Sequence, residues 1–251
     1  KYLQFWMDKG LDGIALDAVS RYVGINADIN NQYITNILDR YNAWTNPEGC
    51  WGQEYITQYG YKCMQEYSIT GWSNAHSLFV EAMDSEDASS IEPELQAWHD
   101  RYTAVDGIDY AAVSWEKTSV TNQKRMMEIA GLTTIGTMFF LHSGLDSIDV
   151  NAIIDSWPQS DKESMYNMIR TQNSYKALSP AGSRTKLLVN GDLNESRYYA
   201  FLRTNKDGSS KALVIMNFQN STQTLTVNLS NLGISTSQTP INLYTGTAGP
   251  K

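Results

Sequence analysis

Residues 13–19, Gly-Ile-Ala-Leu-Asp-Ala-Val, form a short apolar run that begins at a glycine and carries Asp17 near its end. Such a run is typical of a buried strand in a parallel sheet. The preceding residues 2–9 have helical spacing, and Gly10 is placed to end that helix. A carboxylate at the carboxyl end of a buried strand predicts an α/β protein with its chemistry at the strand ends.

The next part of the chain alternates between helical and strand-like patterns, which predicts a parallel sheet or barrel. The predicted helices cover 30–42, 74–84, 91–103, 121–131 and 161–176, and the predicted strands cover 61–69, 110–115 and 134–141. Because helical spacing already begins at Tyr2, we expect the chain to be a piece of a longer protein.

After about residue 184 the pattern changes to short strands separated by turns. The predicted strands cover 186–189, 198–203, 212–218, 222–229 and 241–244. This pattern predicts an antiparallel β-sandwich domain over 185–251. It leaves 1–184 for the α/β part, which is shorter than the roughly 250 residues of a complete (β/α)₈ barrel.

Composition excludes several classes of function. The chain has 251 residues, with 19 Lys and Arg against 27 Asp and Glu, and the net charge of −8 argues against a nucleic-acid partner. The mean hydropathy is −0.40, and no apolar run reaches the roughly 18 residues of a membrane span. Phosphate-binding glycine loops and zinc-ligand spacings are absent from the sequence, so we expect neither a cofactor nor a metal.

Two features indicate a secreted, extracellular protein. Cys50 and Cys63 are either separate thiols or a disulfide that closes a short loop, which would contribute about 3 kcal/mol to stability. Asn194, Asn220 and Asn228 each begin an Asn-X-Ser/Thr sequence and are predicted glycosylation sites.

Residues 5–19 resemble the fourth-strand segment of the α-amylase superfamily, glycoside hydrolase family 13, of the neopullulanase or maltase type. In that family a helix end and Lys-Gly precede Asp-Gly-Phe-Arg-hydrophobic-Asp-Ala. Similarity to later segments of the family extends over residues 60–69, 129–140, 198–204 and 213–218. The resemblance implies a partial (β/α)₈ TIM barrel, from its fourth strand onward, followed by a C-terminal antiparallel β-domain. It also makes Asp17 the nucleophile of a retaining glycosidase.

A retaining glycosidase needs a second carboxylate about 5 Å from the first. Resemblance to the neopullulanase-like members makes Glu48 the first candidate for this acid/base, although Asn46–Gly49 has the composition of a turn. Glu81 resembles the corresponding glutamate of maltase-like members but comes late in the strand order. Glu81 is therefore the second choice.

The sequence departs from the family at four positions around the expected site. Ala15 stands where the family has the arginine that orients the nucleophile. Glu116 and Lys117 stand where the family has a His-Asp pair, and Arg21 stands where it often has His or Asn. Because losses of this kind typically cost orders of magnitude in rate, we expect a degenerate member of the family.

Two functions are consistent with these residues. The first is a non-catalytic protein that binds an α-glucan or another glycan, or that assembles with copies of itself or other chains. Trp51 and Trp115, which flank positions that map to the cleft, are its candidate ligand contacts. The alternative is an active retaining α-glucan hydrolase or transglycosylase that uses Asp17 as nucleophile.

Overall fold

A computed structural model describes residues 1–16, 19, 27–47, 53–66, 78–105, 108–113, 132–133, 136–139, 157–179, 182–234, 239–243 and 246–248. The fold is mixed α/β, with parallel strands first and an antiparallel sheet at the C-terminal end. The predicted helix over 121–131 lies outside the described residues.

The helices and strands follow the alternation that the sequence predicts. In chain order they are α1 (Tyr2–Met7), β1 (Gly13–Leu16), α2 (Ala27–Arg40), β2 (Trp44–Pro47), α3 (Glu54–Thr57), β3 (Cys63–Glu66), α4 (Leu78–Asp84), α5 (Ile91–Thr103), β4 (Ile108–Val113), β5 (Gly136–Phe139), α6 (Gln159–Ser174), β6 (Ser183–Lys186), β7 (Tyr198–Thr204) and β8 (Lys211–Asn217). A single 3-10 turn, Lys176–Leu178, follows α6.

The first five strands form two parallel sheets. β1 pairs with β2, and β3 pairs with β4, which pairs with β5. β2 lies beside β3, and Lys62 joins the two: its N–H donates to Thr45 Oγ1 at 3.2 Å and its Nζ to the carbonyl of Ala43 at 2.9 Å. The predicted parallel arrangement is confirmed, and within the described ranges it takes the form of two sheets rather than a closed barrel.

Strand β2 was missed by the sequence pattern, which predicts a turn at Asn46–Gly49. Trp44–Pro47 instead pairs with β1 along its whole length. Tight packing makes this possible, because a Cβ at Gly13 would lie 2.6 Å from the carbonyl oxygen of Trp44. The local turn preference of Asn-Pro is therefore overridden by pairing with the preceding strand.

The C-terminal sheet is antiparallel, as predicted, with β7 between β6 and β8. It begins at Ser183, two residues before the predicted start of the second domain. The predicted strand over 222–229 makes only an isolated bridge, between Val189 and Val227. Its apolar residues still alternate toward the sheet, since Leu225, Val227 and Leu229 pack against the buried face of β7. The segment thus covers the sheet without forming a ladder.

The antiparallel sheet and the helices share one hydrophobic core. Tyr199 and Phe201 on one face of β7 belong to the same cluster as Phe79 of α4, Leu95 of α5 and Met168 of α6. The other face of β7, with Tyr198, Ala200 and Leu202, belongs to the second cluster. Burial on both faces explains why residues 198–202 of β7 form an unbroken apolar run rather than an alternating one.

Candidate functional site

The candidate site lies at the carboxyl ends of the parallel strands, where ligands of α/β proteins usually bind. The last residues of β1 and β2 are Leu16 and Pro47, which face each other in the parallel register. The last residues of β3, β4 and β5 are Glu66, Val113 and Phe139.

The two candidate catalytic carboxylates directly follow this register pair in the sequence. Asp17 comes after Leu16, and Glu48 comes after Pro47. Both residues lie outside the described part of the chain. The strand assignment of Trp44–Pro47 nevertheless removes the objection that Glu48 follows a turn, because Glu48 follows the end of a parallel strand.

Of the four expected departures from the α-amylase superfamily pattern, the structure describes Ala15. Its register partner on β2 is Asn46. Ile14 and Leu16, its neighbours in β1, pack toward a cluster built from Met7, Leu38 and Ala43. Alternation along the strand directs Ala15 to the opposite face, where it is exposed. This open face carries a methyl group at the position where the resemblance predicts a cationic side chain.

Glu81 lies on α4 and is exposed. Glu48, in contrast, directly follows the end of β2 in the sequence. The choice between Glu48 and Glu81 as the partner of Asp17 stays a prediction. A third carboxylate-bearing residue, Glu66, was missed by the sequence interpretation. It ends β3, and the overlong predicted strand at 61–69 hid this position. The sequence did contain a signal for this position. Acidic residues are rare inside buried strands, so Glu66 indicates that the strand ends there rather than at residue 69.

The other predicted positions of the cleft fall beyond what the structure describes; they are Arg21, Trp51, Trp115, Glu116 and Lys117. Cys50 also lies outside the described residues, whereas Cys63 is the first residue of β3. The neighbouring Lys62 contacts Ala43 and Thr45 at the start of β2, so Cys63 lies toward the amino-terminal ends of these strands. The disulfide remains a prediction.

The three predicted glycosylation sites lie on the C-terminal sheet region and are exposed. The Asn220 amide donates to Glu86 Oε1 at 3.0 Å. Asn228 Oδ1 accepts the backbone N–H of Ser230, the serine of its own Asn-X-Ser sequence, at 2.9 Å.

Two sets of buried polar contacts occur in the described residues, one next to β3 and one between α5 and the C-terminal sheet. Tyr61, just before β3, donates from its hydroxyl to Asn31 Oδ1 at 2.7 Å, and both side chains are buried. On the far side of the core, Arg184 contacts Glu92 at 2.9 Å, and Tyr199 donates to the same carboxylate. Burial, before any other cause, raises the pKa of the Tyr199 hydroxyl far above its usual value, so it remains a donor.

The described residues contain neither a cluster of metal-ligand side chains nor a helix suited to span a membrane. In the described ranges, no group of three or more His, Cys, Asp and Glu side chains is placed to hold a metal ion. None of the described helices combines the length and the apolar character needed to cross a bilayer.

Comparison with known proteins adds no assignment. No family model matches the sequence, and no curated protein matches it significantly.

Proposed function

We propose that this chain is part of an extracellular α-amylase-type protein that binds an α-glucan or another glycan without efficient hydrolysis. In this proposal β1–β5 correspond to the last five strands of a (β/α)₈ barrel, and β6–β8 form its C-terminal β-domain. The supporting feature is the order of the parallel strands, which follows the order of the chain as it does in a barrel.

The observation that carries the non-catalytic reading is the environment of Ala15. This residue stands on the open face of β1, two positions before Asp17, and presents only a methyl group there. A methyl group makes no charge-assisted hydrogen bond, so residue 15 supplies no cation that would orient a carboxylate at position 17 and lower its pKa. Glycan binding needs no such cation, because aromatic faces and hydroxyl hydrogen bonds suffice for it.

A second function, retaining hydrolysis of α-glucans, is favoured by the register of β1 and β2. Leu16 and Pro47 are paired at the strand ends, and neighbouring strands lie about 4.8 Å apart. If the pairing of β1 with β2 continues by one residue, Asp17 and Glu48 become register partners. The separation of their carboxyl groups would then be close to the value of about 5 Å that retaining chemistry needs. Asp17 would then attack the anomeric carbon, and Glu48 would protonate the leaving oxygen and later activate water.

Glycan binding is tested by titrating the chain with maltoheptaose and with soluble starch in a calorimeter. We expect binding that Trp51→Ala and Trp115→Ala each weaken about tenfold, or about 1.4 kcal/mol. Tyr33→Ala is the matched control, because Tyr33 is 62% exposed on α2 and should leave the affinity unchanged. Absence of binding by the parent chain, or equal loss in the Tyr33 variant, overturns the proposal.

Hydrolysis is tested by following the release of reducing ends from the same glycans. We expect no release beyond that of an Asp17→Ala variant. A parent rate that falls by about 10³-fold or more in Asp17→Ala, with glycan affinity retained, rejects the non-catalytic function and establishes the second one. The same assay on Glu48→Gln and Glu81→Gln then separates the two acid/base candidates.

A further inference from the structure

The C-terminal sheet has two edges that differ in character. β6 is a four-residue strand that carries Arg184 and Lys186. β8 has seven residues, Lys-Ala-Leu-Val-Ile-Met-Asn, and its single charge, Lys211, lies at its first position. Short length and internal charge are the usual protection of an edge strand against pairing. β6 has both of these features, and β8 has neither.

The pairing of β8 with β7 determines which backbone groups of β8 face outward. The N–H of Phe218 donates to the carbonyl of Arg197 at 3.1 Å, and the N–H of Asn205 donates to that of Ser210 at 3.1 Å. Hydrogen-bonded and non-bonded pairs alternate in an antiparallel ladder. Between these two bonded pairs, the N–H and C=O groups of four β8 residues therefore point away from β7: Lys211, Leu213, Ile215 and Asn217. The described residues supply no backbone partner on that side.

Two apolar side chains accompany this edge. Leu213 is 40% exposed and Ile215 is 46% exposed, although both belong to the sheet face that is buried over β7. In the register, Leu213 faces Leu202 and Ile215 faces Ala200, which are buried in the second cluster. The covering segment around Leu225 and Val227 thus shields β7 and leaves the outer strand partly bare among the described residues.

We propose that two copies of this chain associate through β8, strand against strand and antiparallel, about a two-fold axis at Val214. This register sets Leu213 opposite Ile215 of the second copy and Lys211 opposite Asn217. The outward-facing N–H and C=O groups of one β8 strand then lie opposite those of the other. This gives four hydrogen-bonded residue pairs and eight backbone hydrogen bonds between the two copies. The inference rests on the edge alone and does not depend on the proposed glycan site.

Self-complementarity singles out a second copy as the occupant. In this register the strand opposes only apolar residues at its centre, and the two Lys211 ammonium groups lie at opposite ends with no like charge facing them. A two-fold axis through the strand makes the contact closed, so it yields a dimer rather than a fibre. Because two paired strands bury little area, we expect dissociation in the micromolar range.

The first test measures the mass of the chain by light scattering over concentrations from one to several hundred micromolar. We expect an approach to twice the 28.2 kDa of one chain. Ile215→Lys should raise the dimer dissociation constant about 30-fold or more, since it sets two like charges at diagonal positions. Thr185→Lys on β6 is the matched control and should leave dissociation unchanged. A monomer throughout, or a dimer that Ile215→Lys does not weaken, overturns the proposal.

A second test fixes the register without relying on a charged variant. Val214→Cys places one thiol on each side of the axis at a non-bonded pair, where Cα atoms lie about 4.5 Å apart and a disulfide fits. Mild oxidation should give a covalent dimer on a non-reducing gel. Ala212→Cys is equally buried but faces Met216 of the second copy, so it should stay uncrosslinked like the parent. Equal crosslinking of both variants would contradict the proposed register.

Discussion

The parallel and antiparallel parts of this protein treat their sheet faces differently. β7 is buried on both faces, between the helices and the segment around Leu225. β1 is covered on one face by α1 and α2 and leaves Ala15 exposed on the other. The antiparallel sheet therefore serves packing, whereas β1 keeps one face open at Ala15. Ligand chemistry is expected where a sheet is left open, and rigidity where it is covered on both sides.

The buried charged side chains among the described residues also belong to the antiparallel sheet; they are Arg184 and Arg203. Arg203 of β7 is fully buried and donates to the carbonyls of Leu132, Thr133 and Ser179, at 2.6 Å for Ser179. It thereby connects the C-terminal sheet to the residues before β5 and after α6. Arg184 connects β6 to Glu92 in the first turn of α5. The antiparallel sheet is thus attached to the rest of the molecule by charge-assisted bonds as well as by packing.

The largest expected effect comes from removing the Arg203 guanidinium. Arg203→Met should lower the free energy of unfolding by about 3–5 kcal/mol, because buried carbonyls lose their donor. Urea denaturation measures the loss. Arg197→Met is the control, since Arg197 is 53% exposed and its ion pair with Glu195 should contribute under about 1 kcal/mol. Equal losses in the two variants would refute the distinction between buried and surface charge.

The parallel region is tested next through Leu38 of α2, which is buried beneath β1 with Met7 and Ala43. Leu38→Ala should cost about 2–4 kcal/mol, from lost burial and the cavity left behind. Asn36→Ala, on the exposed side of the same helix, is the control. If the Leu38 variant unfolds at the parent's denaturant midpoint, the covered face of β1 does not carry the stability that we assign to it.

A smaller loss is expected at the junction of α5 and β7. Tyr199→Phe removes the hydroxyl that donates to the Glu92 carboxylate while keeping the packing of the ring. Hydrogen bonds to charged groups are worth about 1.5–3 kcal/mol, so the variant should lose stability within that range. Tyr198→Phe, whose hydroxyl donates to Gln219, should lose less. Denaturation of both variants under one set of conditions decides between them, and a larger loss at Tyr198 would contradict the ranking.

The smallest expected effect is a pH-dependent change of Tm at Asp207, in the hairpin between β7 and β8. The Ser209 hydroxyl and backbone N–H, at 2.9 Å for the latter, hold the pKa of Asp207 below its usual value. A lowered folded-state pKa means that this stabilisation is complete above the ordinary carboxyl pKa and is lost as the pH falls through the folded-state pKa. Asp207→Asn should therefore lower Tm slightly at pH 7 and not at pH 2. A difference in Tm that stays constant between these pH values would contradict this assignment.

Local pattern was sufficient for several elements. The predicted helix over 91–103 coincides with α5, and the predicted strand over 198–203 coincides with β7 apart from its last residue. Both have strong periodicity or a long apolar run, and tertiary contacts act in the same direction. Trp44–Pro47 was missed because Asn-Pro-Glu-Gly favours a turn, and only its pairing with β1 makes it a strand.

The sequence predicted which residue types belong to the candidate site. It did not predict how the strands that carry them are paired. Asp17 and Glu48 are carboxylates near apolar runs, which sequence spacing reveals. Their relation depends on which residues of β1 and β2 are paired, and a register is set by contacts between segments that are far apart in the chain. Glu66 was overlooked for the same reason, because the end of β3 is defined by pairing with β4.

The sequence by itself determined the succession of helices and strands, the change to an antiparallel pattern near residue 184 and the absence of a charged side chain at Ala15. These are properties of periodicity and residue type, which act locally. Only the tertiary structure decided that Pro47 lies opposite Leu16, that Arg203 is buried among carbonyls and that β8 is left at an edge. Pairing, burial and edge position arise from contacts between distant segments, and their free energy exceeds the local preferences of a few residues.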